Sequence, residues 1–174
     1  VDETFITLDE EGTPIPRANN MGPQIDPRET TKVIEFNDIG ALETALSARD
    51  VAAVLAEPAM TNIGIIHPNP GYHDALREMT RKYGTYLIID ETHTICAGPG
   101  GYTASFGLQP DFLTLGKPLA GGVPAAIYGF TEEVSQAFTA KLSVEDSDVG
   151  GIGGTLAGNA LSIAAMKATL QNVL

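Results

Sequence analysis

Basic residues are scarce in this sequence of 174 residues. Lysine and arginine together number 10 against 22 aspartates and glutamates, which gives a formal net charge of −12 at pH 7. A nucleic-acid backbone is bound by clustered lysine and arginine, so such an acidic chain is a poor match for DNA or RNA. We therefore expect no nucleic-acid partner.

Cysteine and long apolar runs are scarce as well. Cys96 is the single cysteine, so no disulfide can form within the chain, and a reducing, cytoplasmic compartment is expected. No apolar run reaches the roughly 18 residues of a membrane span, so no membrane partner is expected. No two histidines or cysteines have the spacing of metal ligands, so we expect no metal site. What is present, 43% hydrophobic and 18% charged residues, is typical of a globular domain with a core.

Strand-like and helix-like segments alternate along most of the chain. Short apolar runs predict strands, and amphipathic patterns predict helices. The predicted strands cover 32–36, 51–58, 86–90, 110–117 and 124–130, and the predicted helices cover 37–48, 71–84, 131–142 and 156–174. This order predicts an α/β fold, a three-layer α/β/α arrangement around a mainly parallel sheet. Scattered proline and glycine predict an irregular surface segment at 1–30, with a possible short strand, so the domain itself would comprise 31–174.

The stretch YLIIDETHT, residues 86–94, ends a predicted buried strand with the carboxylate of Asp90. An ATPase would use such a carboxylate to hold Mg²⁺, but it also needs a G-x-x-x-x-G-K-[ST] phosphate loop. No such loop precedes Asp90, and the one Gly-Lys pair, Gly116-Lys117, is followed by Pro118. The phosphate-transfer interpretation is therefore disfavoured.

Lys117 occupies a position comparable to that of Asp90, at the end of another predicted strand. Ligands of open α/β sheets bind at the carboxyl ends of the strands, so both side chains are expected on one rim. The surrounding loop, TLGKPLAGG, is rich in small residues that let a flat ligand approach. A desolvated lysine can form a Schiff base with a carbonyl, and a carboxylate can keep a pyridine nitrogen protonated. This pairing is typical of pyridoxal phosphate enzymes.

Four blocks of the sequence, in order, resemble the class III, fold-type I aminotransferases. They are EPAMTNIGIIHPNPGYHDALREMTRKYG, LIIDE, LTLGKPLAGGVPAAIYG and GGTLAGNALSIAAMKATL. The first block is most similar to the glutamate-1-semialdehyde aminomutase branch. The resemblance covers residues 33–174 and implies the middle and C-terminal part of the large domain that binds pyridoxal 5′-phosphate (PLP). We expect the family's N-terminal phosphate cup and C-terminal small domain to lie outside these residues.

The resemblance also implies roles for individual residues around the cofactor. Lys117 would form the internal aldimine and later move the proton between the substrate and the cofactor. Asp90 would pair with the pyridine nitrogen, and Asn62 would hydrogen-bond the phenolic oxygen. Thr92, two residues past Asp90 on the same strand face, would pack on the ring, and Glu57 would belong to the buried network around it.

Two further implications concern a second subunit and the substrate. Gly154 and Thr155 would bind the phosphate of the partner subunit's cofactor, so the resemblance implies a homodimer with shared active sites. Thr155 is also a candidate cap for the last helix, since a hydroxyl there can accept a backbone N–H. His93, just past the strand rim, could face the substrate or could be a structural histidine.

The activity implied by the resemblance is transamination. An amino group would pass from an amine or amino acid to a keto or aldehyde acceptor through a pyridoxamine intermediate. One alternative is an intramolecular aminomutase of the glutamate-1-semialdehyde type. That branch usually follows its strand acids with Met-Thr-Gly-Phe-Arg, whereas residues 93–97 here read His-Thr-Ile-Cys-Ala. A second alternative is a non-catalytic remnant that only forms a dimer.

Overall fold

The structure is a computed structural model and describes residues 6–18, 26–141 and 155–174. Its helices and strands are β1 (Ile6–Leu8), β2 (Pro14–Pro16), α1 (Pro27–Thr30), α2 (Ile39–Leu46), β3 (Ala53–Ala56), α3 (Tyr72–Tyr83), β4 (Tyr86–Asp90), α4 (Gly101–Phe106), β5 (Phe112–Leu115), β6 (Ile127–Phe130), α5 (Glu132–Lys141) and α6 (Ala160–Asn172). Two short 3-10 helices, Thr94–Ala97 and Lys117–Ala120, follow β4 and β5. Of the helices in these ranges, none combines the length and apolarity that a membrane crossing requires.

The central sheet has four strands in the order β3-β4-β5-β6. β3, β4 and β5 run parallel, and β6 pairs with β5 in the antiparallel direction. Helical segments connect the parallel strands, as a parallel sheet requires. The predicted α/β fold with a mainly parallel sheet is confirmed.

The core forms between this sheet and the pair α2 and α3. Alternate residues of a strand face the same side, and in β4 these are Leu87 and Ile89, which are 3% and 1% exposed. The facing helices contribute residues four apart, which lie on one helix face. The buried cluster consists of Leu42, Leu46, Tyr72, Leu76, Leu87 and Ile89.

The strand predicted at 32–36 is wrong. These residues are in extended or irregular chain outside both described sheets. Ile34 and Phe36 nevertheless pack against the core cluster, and the Phe36 ring lies 4.8 Å from that of Tyr72. The apolar alternation of this segment is thus satisfied by side-chain packing, without strand pairing.

The segment predicted to be irregular, 1–30, contains a small antiparallel hairpin. β1 was expected as a possible strand, whereas β2 was not, because Pro14 and Pro16 lack the N–H that a ladder uses. The two prolines are separated by one residue, so they lie on the same side of the strand. Ile15, between them, pairs with Thr7 of β1. The division of the chain at residue 30 stays a prediction.

The last helix begins later than the sequence predicts, at Ala160 instead of residue 156. Gly158 has a φ of +71°, which ends any regular helix N-terminal to it. Asn159 is the N-cap, and its side chain accepts the backbone N–H of Ser162 at 2.9 Å. Thr155 lies in the preceding turn, so the interpretation of Thr155 as the helix cap is wrong.

Candidate functional site

The carboxyl ends of β3, β4 and β5 bring three ionisable residues to one edge of the sheet. Glu57 directly follows β3, and Asp90 is the last residue of β4. Asp90 pairs with Thr114 of β5, and Lys117 comes three residues after Thr114. Because the three strands are parallel and in register, these side chains share the edge at which α/β sheets bind ligands.

The Asp90 carboxylate is half-buried and is oriented by the chain that follows it. Its Oδ1 accepts the backbone N–H of Thr92 at 2.9 Å, an Asx turn that holds the carboxylate at the strand end. Within the three described ranges, no basic side chain lies within ion-pair distance of Asp90. A cationic ligand can therefore take the remaining carboxylate oxygen.

Lys117 begins a 3-10 helix with an uncommon backbone conformation. Its φ is +41°, a region that costs a non-glycine residue of order 1 kcal/mol or more and persists only when the surroundings impose it. The same 3-10 helix buries Leu119 and Ala120, and their burial holds the backbone of this turn in place. A Cβ on Gly121 would lie 3.2 Å from Thr169 Oγ1 of α6, so α6 packs closely on this turn. The turn thus holds the exposed Lys117 amine at the sheet edge.

Thr92 lies between the Asp90 and Lys117 segments. β4 ends at Asp90, so Thr92 is in the turn beyond the strand and does not continue the strand face as expected. A Cβ on Gly116 would lie 3.5 Å from Thr92 Oγ1 and 3.6 Å from its Cγ2. These are ordinary van der Waals distances, so Thr92 lies directly beside Gly116, the residue that precedes the lysine.

A chain of polar contacts leads from Lys117 back to Glu57. The Lys117 amine contacts Nε2 of His93, and Nδ1 of the same ring contacts the Thr61 hydroxyl. Thr61 Oγ1 in turn donates to Glu57 Oε2 at 2.6 Å. Sequence reasoning missed Thr61, which reaches the site because Met60 and Ile66 form a backbone bridge that folds its loop back.

Glu91, the second acid of the DETHT motif, has a structural role. Its side chain is fully buried and accepts the backbone N–H groups of Tyr102 and Thr103 at 2.8 and 2.5 Å. It also accepts the Thr94 hydroxyl at 3.3 Å. Glu91 therefore binds the first amides of α4, which have no partner within the helix. Sequence reasoning missed this role, although Gly100-Gly101 directly before those amides was a usable signal.

The remaining predicted site residues are not joined to this network. Asn62 is exposed in the loop beside Thr61, and Thr155 is exposed in the turn before α6. Gly154 lies outside the described residues. The contacts of these three residues with a cofactor stay predictions.

One cavity of the described residues lies away from this sheet edge. It has a volume of about 630 Å³ and is formed by α3, α4 and their flanking loops, without Asp90 or Lys117. His73 lines it, and burial lowers the pKa of this imidazole from its ordinary value of 6.5. The ring packs edge-on against Tyr102 at 5.9 Å. Asp90 and Lys117 at the sheet edge are therefore separate from this cavity.

The side chains at the edge fit a planar ligand that carries both a ring cation and a carbonyl. Lys117 supplies an exposed amine, and Asp90 supplies a carboxylate without a basic partner in the described ranges. Thr92 and Gly116, which lie side by side at this edge, carry no charge. No group of three or more histidine, cysteine or carboxylate side chains suited to a metal is found in the described part of the chain.

Comparison with known protein families gives one match over most of the chain. The profile of the family described as aminotransferase class-III matches residues 11–174. A glutamate-1-semialdehyde 2,1-aminomutase of Sorangium cellulosum is 40% identical over 147 residues, which are 83% of this chain and 32% of that protein. The chain thus spans about a third of the length of such relatives.

Solved structures show the same similarity. A glutamate-1-semialdehyde aminomutase variant of Pseudomonas aeruginosa PAO1, crystallised in complex with PMP, superposes with a TM-score of 0.92 at 46% identity. The match covers 99% of this chain and 39% of that one. An omega-transaminase of Sphaerobacter thermophilus superposes with a TM-score of 0.78 at 28% identity. The match covers 98% of this chain and 39% of the transaminase chain.

Proposed function

The chain belongs to the class III aminotransferases, a family of pyridoxal-phosphate enzymes, and on this premise we propose that its protein transfers amino groups. The donor would be an amine or amino acid, and the acceptor a keto or aldehyde compound. The observation that carries the proposal is the common sheet edge of Asp90 and Lys117, which places a carboxylate and an exposed amine after neighbouring parallel strands.

Each of these two residues has a defined task in the proposal. Lys117 would hold the cofactor through its amine and would carry a proton to and from the substrate carbon. Asp90 would pair with the positive charge of the ring nitrogen and so keep it protonated. When bound, pyridoxal phosphate supplies an electron sink for the bonds at that carbon.

Other residues would complete the site around the ring. Thr92 would pack on the ring beside Gly116, Glu57 would act through its hydrogen-bonded network, and Asn62 would donate to the phenolic oxygen. We propose further that Gly154 and Thr155 of the partner subunit bind the phosphate, which makes the active unit a homodimer. The exposed position of Thr155, one turn before α6, supports a contact outside its own subunit.

A second candidate is intramolecular transfer, as in the aminomutases. The similarity at 46% identity over 99% of the chain to a Pseudomonas aeruginosa glutamate-1-semialdehyde aminomutase favours it. The two candidates differ in their need for a second substrate. From a single amino aldehyde or amino ketone, the purified full-length enzyme would form the isomer if it is an aminomutase. An aminotransferase would instead pass the amino group from one molecule to another and form a diamine and a dicarbonyl compound.

The proposal is tested by the absorbance spectrum of the full-length protein with added pyridoxal phosphate. We expect a new band from the covalently held cofactor, and its loss in Lys117→Ala. A spectrum identical to that of free cofactor would support the alternative of a non-catalytic remnant that forms only dimer contacts. A cytoplasmic location stays a prediction that rests on composition.

A further inference from the structure

We propose that His93 is the proton acceptor of Lys117, and that Thr61 and Glu57 are the positioning residues that prepare His93 for this task. The inference rests on the proposed function, since it explains how the Lys117 ammonium becomes the neutral amine that the function needs. It differs from the expectation that His93 faces the substrate.

The geometry places the imidazole between an amine and a carboxylate. Nε2 of His93 contacts the Lys117 amine, and Nδ1 contacts the Thr61 hydroxyl. The same Nδ1 lies 3.9 Å from Glu57 Oε2. These residues come from three different segments, the loop after β3, the turn after β4 and the 3-10 helix after β5, so the fold brings them together.

The hydrogen bonds fix which nitrogen of the ring carries the proton. A carboxylate only accepts, so the single hydroxyl proton of Thr61 is given to Glu57 at 2.6 Å. The Thr61 oxygen can then only accept from His93, which requires a proton on Nδ1. In the neutral imidazole this leaves Nε2 with its lone pair directed at Lys117.

The transfer itself is a simple exchange of bonds. An N–H bond of the Lys117 ammonium breaks, an Nε2–H bond forms on His93, and the positive charge moves from the amine to the imidazole. Lys117 is left with the lone pair that attacks a carbonyl. The Glu57 carboxylate, with Oε2 3.9 Å from Nδ1, is the negative charge that faces the ring when it carries the proton.

The first test measures how fast full-length apoprotein captures added pyridoxal phosphate, followed by stopped-flow absorbance. His93→Gln keeps the size and polarity of the side chain but cannot take a proton, and we expect capture to slow by about a hundredfold, the scale of general base catalysis. Thr61→Val should also slow capture, by a smaller factor. His67→Gln serves as the control, because His67 is an exposed loop residue away from this network.

Chemical rescue separates proton transfer from a structural role. Added imidazole should restore capture in His93→Ala, where it finds space, and should not do so in His93→Gln. Wild-type capture rates in His93→Ala, or slow capture that imidazole leaves unchanged, would overturn the proposal. If wild type captures no cofactor, or Lys117→Ala captures it as wild type does, the proposed function itself fails, and the role of His93 fails with it.

The second test needs no cofactor. Nitrogen-15 NMR of histidine-labelled, full-length apoprotein reports which ring nitrogen of His93 is protonated. We expect a proton on Nδ1 in the wild type, and a shift toward the Nε2 tautomer in Thr61→Val, where the acceptor is gone. An Nε2-protonated His93 in the wild type would overturn the proposal even if the protein holds pyridoxal phosphate.

Discussion

Arg77 and Asp111 form an ion pair with two hydrogen bonds that ties helix α3 to the start of β5. The Arg77 Nη1 and Nη2 atoms donate to the two carboxylate oxygens of Asp111 at 2.7 and 2.9 Å. Asp111 also accepts the backbone N–H of Leu87 in β4 at 2.7 Å. One carboxylate thus connects a helix and the two strands whose ends carry Asp90 and Lys117.

Asp111→Asn should therefore destabilise the protein without changing a residue of the site. The side chains of Arg77 and Asp111 are 17% and 12% exposed, and loss of one charge from such a pair costs about 3 kcal/mol of unfolding free energy. Denaturant titration of the full-length protein measures the change. The matched control is Lys82→Gln, which breaks the exposed pair with Glu43 and should move the midpoint little. Equal shifts for both variants would contradict this account.

Glu91→Ala should also act on stability. The substitution leaves the amides of Tyr102 and Thr103 without their acceptor, and each unsatisfied buried amide costs about 1–3 kcal/mol. Thermal unfolding of the holoprotein would measure the loss. Gly101→Ala should have a comparable effect, because its Cβ would lie 2.3 Å from Glu91 Oε2. If Glu91→Ala unfolds at the wild-type temperature, the capping role is wrong.

The positions of Asp90 and Lys117 at the sheet edge could be predicted from the sequence. Apolar runs that end in a carboxylate or a Gly-Lys pair predict strand ends, and parallel strands end at a common edge, so Asp90 and Lys117 could be placed together. The family resemblance and its cofactor class are confirmed by the profile match and the structural relatives. The α/β fold follows from the same alternation of segments.

Other features depend on contacts between separate segments, which the strand and helix patterns do not predict. Thr61 joins the site only because the loop between Met60 and Ile66 closes by backbone hydrogen bonds of 3.0 and 2.9 Å. Glu91 finds its partners 11 and 12 residues further along the chain. The strand wrongly predicted at 32–36 has the apolar alternation of a strand, but its side chains reach the core without strand pairing.

Asp90→Asn should lower the turnover number by orders of magnitude while the protein remains folded. The substitution removes the charge proposed to pair with the ring nitrogen at nearly constant shape, and loss of a buried charged partner costs on the order of several kcal/mol. Each 1.4 kcal/mol or so corresponds to a tenfold change in rate. Steady-state kinetics, with circular dichroism as the check on folding, would measure the effect. A rate near that of the wild type would contradict the assignment.

Thr155→Ala should weaken cofactor binding by about ten- to a hundredfold, the equivalent of one charge-assisted hydrogen bond of roughly 1.5–3 kcal/mol. If the phosphate belongs to the neighbouring subunit, pyridoxal phosphate should also tighten the dimer by mass action. Sedimentation with and without cofactor, beside titrations at several protein concentrations, tests both effects. A monomer that binds the cofactor with undiminished affinity would refute the shared site.

The central claim is that Lys117 holds the cofactor, and the most direct measurement is borohydride reduction of the full-length holoprotein followed by peptide mapping. The present sequence contains five lysines, of which Lys32 and Lys82 form ion pairs with Asp50 and Glu43 and serve as internal controls. The account predicts that the reduced cofactor is attached to Lys117 and that Lys117→Ala carries none. Attachment to any other lysine, or equal labelling of several, would contradict it.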